Sequence, residues 1–153
     1  MRLLRPENTH LSEMMTWFDN QDDLETWAGP NFHYPYSSES FVKDLKLDQL
    51  DSFVFVSNKM NLLGFGQCYQ RLSCCHLSRL IISPTHRGQN LIDTLIRLLS
   101  EYGTKKYQTS TCSLFVFKDN DSAIRVYKKL GFQERNQTEE KPMENCSYMQ
   151  KKY

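Results

Sequence analysis

Apolar residues recur along this chain at two spacings, and the change from one to the other falls at Pro84. Leu80-Ile81-Ile82 is a continuous apolar run that reads as a buried strand, stopped by Pro84, which cannot donate to a sheet ladder. Beyond it Leu91, Ile92, Leu95, Ile96, Leu98, Leu99 and Tyr102 recur at helical spacing. Asp93, Thr94, Arg97, Ser100 and Glu101 fall on the other side of that helix. A short basic turn joins the two elements.

The rest of the chain divides by the same logic. Arg2-Leu3-Leu4 predicts a short first strand, and Asn8 or Thr9 caps a helix running to about Asp19. A second helix holds Leu24 and Trp27 and ends at Gly29-Pro30. The aromatic loop Phe32-His33-Tyr34-Pro35-Tyr36 leads to a helix capped by Ser37 or Ser38 and running through Leu47. Ser52 to Ser57 and Leu62 to Leu72 predict a hairpin, with Gly64 and Gly66 marking a bulge or a close backbone approach. Cys74 to Ser83 feeds the central turn, and Thr111 to Phe117 is a strand parallel to it across a right-handed crossover. Asp119 to Asp121 cap a helix through Leu130, closed by Gly131, and Cys146 to Lys152 reads as a last antiparallel strand.

The turn is where chemistry enters. A helix start leaves N–H groups without intrahelical partners, and the helix dipole adds partial positive charge there. Arg87 adds a full charge, and no acidic residue stands between Pro84 and Asn90. That combination reads as an anion site, and a phosphate suits it. Composition excludes rival classes. Lys plus Arg number 19 against 18 Asp plus Glu, so no net field favours nucleic acid or a membrane surface. No apolar run approaches the roughly 20 residues of a membrane span, and the N-terminus lacks a signal-peptide stretch. The expected location is cytoplasmic. The length of 153 residues fits one domain, taken as 1–153. Five cysteines lack metal or disulfide spacing and are expected to be free, structural thiols.

Two blocks resemble the GNAT superfamily of N-acetyltransferases. Pro84, Arg87 and Gly88, framed by strand and helix, match the acyl-CoA-binding signature, whose two further glycines are here Asn90 and Ile92. Asn tolerates a left-handed backbone better than other non-glycine residues, whereas Ile92 puts a β-branched side chain where a diphosphate approaches the backbone. Asn120, Ala123, Tyr127, Gly131 and Phe132 match the second block in register. Ala123 and Tyr127 lie one turn apart on one helix face, which leaves room for a cofactor arm. Trp27-Ala28-Gly29-Pro30 and the loop Phe32 to Pro35 look like those of members related to ribosomal-protein and small-amine acetyltransferases.

The resemblance implies an α/β fold: a mixed, mostly antiparallel sheet of about six or seven strands, with helices on both faces. It implies acetyl-CoA as co-substrate, no metal, and an amine acceptor, either a small molecule or a peptide N-terminus. Backbone groups of Leu80, Ile81 and Ile82 would hold pantetheine, and Arg87, Gly88, Gln89, Asn90, Leu91 and Ile92 the diphosphate, with Asn120 a further cofactor ligand. Tyr127 would protonate the departing thiolate, although a core tyrosine explains its spacing too. The strand Cys74 to Ser83 carries no carboxylate to act as base. His76 is its one group titrating near neutrality, and alternation would put it on the face of Leu80 and Ile82. A chain of waters, or a structural His76, are the alternatives. The expected partners exclude nucleic acid and membrane, and the assembly is a monomer or homodimer. Loss of the two glycines also suits a GNAT fold that binds acyl-CoA as a sensor, or acts through protein contacts, without catalysing transfer.

Overall fold

A computed structural model describes residues 1–137 and 143–153. The strands are β1 (Arg2–Leu4), β2 (Asp51–Val56), β3 (Leu62–Arg71), β4 (Cys74–Ile82), β5 (Thr111–Phe117), β6 (Gln133–Arg135) and β7 (Cys146–Lys152). The helices are α1 (Asn8–Met14), α2 (Gln21–Ala28), α3 (Ser38–Leu45), α4 (Leu91–Lys106) and α5 (Asp121–Lys129). One 7-stranded sheet runs in the order β1-β2-β3-β4-β5-β7-β6, and every neighbour pair is antiparallel except β4 with β5. The expected sheet is therefore present, with a short β6 that no apolar pattern announced, since all three of its residues are exposed.

Two apolar layers cover the sheet. On one face Phe53, Phe55, Leu77 and Leu114 pack under Leu95, Ile96 and Leu99 of α4, with Ile124 and Tyr127 of α5 at the margin. On the other, Val54, Val56, Phe65 and Ile81 meet Leu11, Met14, Leu24 and Phe41. Side chains of this size contribute roughly 1.5–3 kcal/mol each when fully buried. Ser100 departs from the expected exposed side of α4 and is fully buried. The reason is close approach: one turn on, a Cβ at Gly103 would stand 2.1 Å from Cys75 Sγ, so this part of the helix sits directly on the sheet. All five cysteines are buried and free. The first helix is also shorter than expected. Its cap is Glu7, which exchanges side-chain bonds with His10, and a 3-10 turn at Met15–Trp17 replaces its last turns.

A charge cluster fastens α4 to the β1–β2 edge. The Asp51 carboxylate accepts from Arg5 Nη2 at 2.9 Å, Tyr102 Oη at 3.0 Å, Lys106 Nζ at 2.5 Å and Tyr107 Oη at 2.5 Å. Burial alone would raise its pKa. The bonds from Lys106, Tyr107, Arg5 and Tyr102 outweigh that effect and hold the carboxyl well below the usual carboxylate range. A depressed pKa contributes stability above the unfolded value of about 3.9, and the contribution disappears as pH falls through the folded value. Asp51→Asn is accordingly expected to lose about 2–3 kcal/mol at pH 7, with the gap to wild type narrowing as urea unfolding is repeated below pH ~4. A gap independent of pH would assign the loss to packing instead of charge.

Candidate active site

The site forms where β4 and β5 part. Their parallel pairing covers Cys75 with Cys112, His76 with Ser113 and Leu77 with Leu114, and then ends. Beyond Leu77, β4 continues alongside β3, pairing Ile81 with Phe65 and Ile82 with Gly64. β5 continues alongside β7 as far as Phe117 with Cys146. The facing edges of Leu80 to Ile82 and of the end of β5 therefore carry backbone groups with no strand between them. An extended amide chain can fill such a gap with main-chain bonds.

A register shift opens this gap. Gln67 pairs with Ser78 and Phe65 with Ile81, so Arg79 and Leu80 stand against the single residue Gly66. Arg79 takes the left-handed conformation, with φ 47°, which is unusual for a residue with a long side chain. Gly66 permits the close contact: a Cβ there would lie 2.5 Å from Leu99 Cδ1 and 3.0 Å from Leu80 Cδ2. This bulge also corrects the expected placement of His76. Leu80 and Ile82 do face α4, but the extra residue inverts the alternation behind them. Leu77 and Cys75 pack toward α4, and His76 lies on the opposite face among Tyr69, Phe115 and Tyr148.

There His76 is buried, with Nδ1 2.9 Å from Ser113 Oγ. Burial, aided by the charge of Arg71, pushes its pKa down to about 3. A neutral, sealed imidazole of that basicity does not suit a general base for an amine. Its place beside Ser113 is that of a structural hydrogen-bonding group.

From Ile82 the chain enters a 3-10 turn, Pro84–His86, fastened by Ser83 N–H to Leu63 O at 2.8 Å. Arg87 and Gly88 follow, exposed, and Gly88 has φ 78° with nothing within 4 Å of the position a Cβ would take. Asn90 has φ 55° and caps α4 without using its side chain. The left-handed residues Gly88 and Asn90 stand ahead of a right-handed helix, a sequence of backbone conformations of the kind that gathers N–H groups into a concavity suited to an anion. Leu91 and Ile92 form the first turn, whose N–H groups precede the intrahelical bonds. Ile92 packs against the core under α4, which directs apolar bulk away from the loop.

The second block closes the wedge. Asn120 Oδ1 accepts the Ala123 N–H at 3.2 Å, so Asn120 serves as the N-cap of α5. Gly131, with φ 92°, ends that helix: its N–H reaches Lys128 O at 3.0 Å, and Phe132 N–H reaches Tyr127 O at 3.0 Å. Phe132 turns into the core, as expected, and its ring stands 6.1 Å from that of Tyr127. Burial raises the Tyr127 hydroxyl to about 12, so it stays protonated across the physiological range. No described residue bonds to that hydroxyl, which leaves it available to a ligand. The sequence did not single out Arg79, whose signal lies in the register shift and in no motif.

Residues 20–132 match the profile of the Acetyltransferase (GNAT) family. A Bacillus subtilis protein named as a ribosomal protein bS18-alanine N-acetyltransferase is 27% identical over 103 residues, covering 67% of this chain and 68% of the relative. A spermidine N(1)-acetyltransferase of Escherichia coli is 37% identical over 54 residues, 35% of this chain and 29% of its own length. Among solved structures, the spermidine N-acetyltransferase of Vibrio cholerae in complex with CoA and spermine superposes with a TM-score of 0.73 at 21% identity. It covers 98% of this chain and 94% of its own, which is a likeness of fold.

The left-handed position yields a direct test. Asn90→Gly is expected to leave stability within about 0.5 kcal/mol of wild type, whereas Asn90→Ala loses about 1 kcal/mol, because a left-handed backbone costs Ala more than it costs Asn or Gly. Equal stability of the two variants in urea unfolding would contradict the strain argument.

Proposed function

The chain belongs to the acetyltransferase (GNAT) family, and from that premise we propose that it transfers the acetyl group of acetyl-CoA to a primary amine by direct attack on the thioester. One observation carries the reading most. The open edge of β4 leads through the short Pro84–His86 turn into the Arg87–Ile92 segment, so one stretch of chain offers a main-chain ladder for pantetheine and then an N–H cradle for the diphosphate. The side of Ile92 that packs on the core, and the left-handed backbone that Asn90 accepts, support binding despite the missing glycines. They weigh against the reading of a fold that has lost its cofactor.

The residues divide the chemistry between them. Backbone groups of Leu80, Ile81 and Ile82 hold the pantetheine arm and polarise the thioester carbonyl. Arg87, Gly88, Gln89, Asn90, Leu91 and Ile92 hold the diphosphate, and Asn120 orients α5 at the wedge. The amine nitrogen bonds to the carbonyl carbon, and the tetrahedral adduct collapses with cleavage of the C–S bond. Tyr127 gives its proton to the departing thiolate, and the proton lost from the amine goes to water. With His76 held neutral beside Ser113, solvent is the acceptor that suits an ammonium group at neutral pH.

A free thiol has a pKa of roughly 8.5, so the thiolate leaves without much help and the donor contributes modestly. Tyr127→Phe is expected to lower kcat about 10–100-fold with little change in KM for acetyl-CoA, read by release of free CoA thiol. An unchanged kcat would remove Tyr127 from the reaction. His76→Asn should leave the pH profile of kcat/KM in place, because that profile follows deprotonation of the amine. Loss of its acidic limb in this variant would return His76 to the role of base.

A further inference from the structure

The bulge that opens the cofactor wedge also turns one cation to the opposite side of the sheet. Arg79 extends away from α4, its guanidinium 5.6 Å from the centre of the Phe32 ring. Nη1 donates to Gln67 Oε1 at 2.8 Å and to Leu45 O at 3.4 Å. Gln67 is itself buried and fixed, donating through Nε2 to Leu45 O at 2.7 Å and Ser52 Oγ at 2.8 Å. Burial lowers the pKa of Arg79, while Tyr69 and Asp44 raise it, and a guanidinium remains charged in any case. The other guanidinium nitrogens have no partner among the described residues, and none is sealed from water. Asp44, the carboxylate whose field reaches Arg79, is taken up by His33, through the backbone N–H at 2.9 Å and Nδ1 at 2.7 Å. Beside Arg79, Ser78 holds a buried hydroxyl with no partner among the described residues.

A rigid, half-occupied fork next to the residues that hold the thioester is suited to a planar anion. It is not suited to a polycation. We propose that Arg79 is the acceptor-specificity residue of this enzyme and binds a carboxylate carried by the amine that is acetylated. The inference rests on the acetyl-transfer reading above. A guanidinium presents two parallel N–H donors to a carboxylate, and the edge left free by Gln67 and Leu45 is available for that pairing. The strained backbone at Arg79 is consistent with a side chain held for a ligand, and the Phe32 ring beneath it keeps the fork from folding back into solvent. The bound acceptor would approach from the α3 side and acetyl-CoA from the side of α4 and α5. The acceptor is thus an amino acid or an acidic peptide, sources that share the same chemistry.

The test compares acceptors that differ only in charge. Rates of CoA release are measured for alanine against alaninamide, for the C-amidated tripeptides Ala-Glu-Ala-NH2 and Ala-Gln-Ala-NH2, and for spermidine. At least one acid is expected to exceed its amide by 10-fold or more in kcat/KM, and the free-amino-acid and peptide pairs identify the source. Arg79→Gln should remove that preference and leave acetyl-CoA affinity within 2-fold, while Arg79→Lys retains part of it. Product binding supplies a second reading that needs no turnover and no variant. With CoA present, calorimetry on the wild type should show the N-acetylated acid binding at least 10-fold tighter than the N-acetylated amide. Equal affinities and equal rates within each pair, or a preference for spermidine, would overturn the proposal. Failure of acetyl-CoA to bind at all would instead sink the acetyl-transfer reading, and the two failures are thereby distinguished.

Discussion

A single extra residue in β4 controls the geometry of this protein. Arg79 and Leu80 stand against Gly66 alone, and from that point β4 leaves β5 and follows β3. A regular ladder would have closed the sheet and left no edge for a ligand. The bulge is tolerated because Gly66 has no side chain to meet Leu99 and Leu80, and because the core under α4 secures both sides of it. Its cost, a left-handed arginine, falls in the range of roughly 1–3 kcal/mol typical of strain stored at functional sites.

The surrounding elements make that opening useful. Leu95, Ile96 and Leu99 fix α4 on the sheet, and the Asp51 cluster fastens the far end of the same helix to β1 and β2. With its axis held, α4 starts at Leu91, a 3-10 turn and a short loop beyond the free edge of β4. α5, capped by Asn120 and closed at Gly131, brings Tyr127 to the same wedge. The proposed cradle, ladder and proton donor thus depend on one packed layer, while the opposite layer of aromatic residues carries Arg79 and the proposed acceptor side.

Most of this framework could be read from the residues. The strand at Leu80 to Ile82, the helix beyond Asn90 and the terminal strand Cys146 to Lys152 all announce themselves by period and punctuation. The tolerance of Asn90 for a left-handed backbone was legible too, since the reason is local. What escaped was non-local. The face of His76 was misjudged because alternation holds only within an unbroken register, and the bulge is set by Gly66 across the sheet. Ser100 looked like a surface residue until Gly103 let the helix settle onto Cys75. β6 has no apolar residue to reveal it, and pairs only because β7 lies beside it. Arg79 belongs to no motif, and its orientation exists only once the strand has bulged.

The proposed reaction requires that the Arg87–Ile92 turn bind acetyl-CoA with Asn90 and Ile92 in place of glycines. Calorimetric titration of the protein with acetyl-CoA, repeated on Arg87→Glu, tests it most directly. The expected result is saturable binding by the wild type, weakened at least 10-fold by the charge reversal. No binding by the wild type, or binding that Arg87→Glu leaves unchanged, would contradict it.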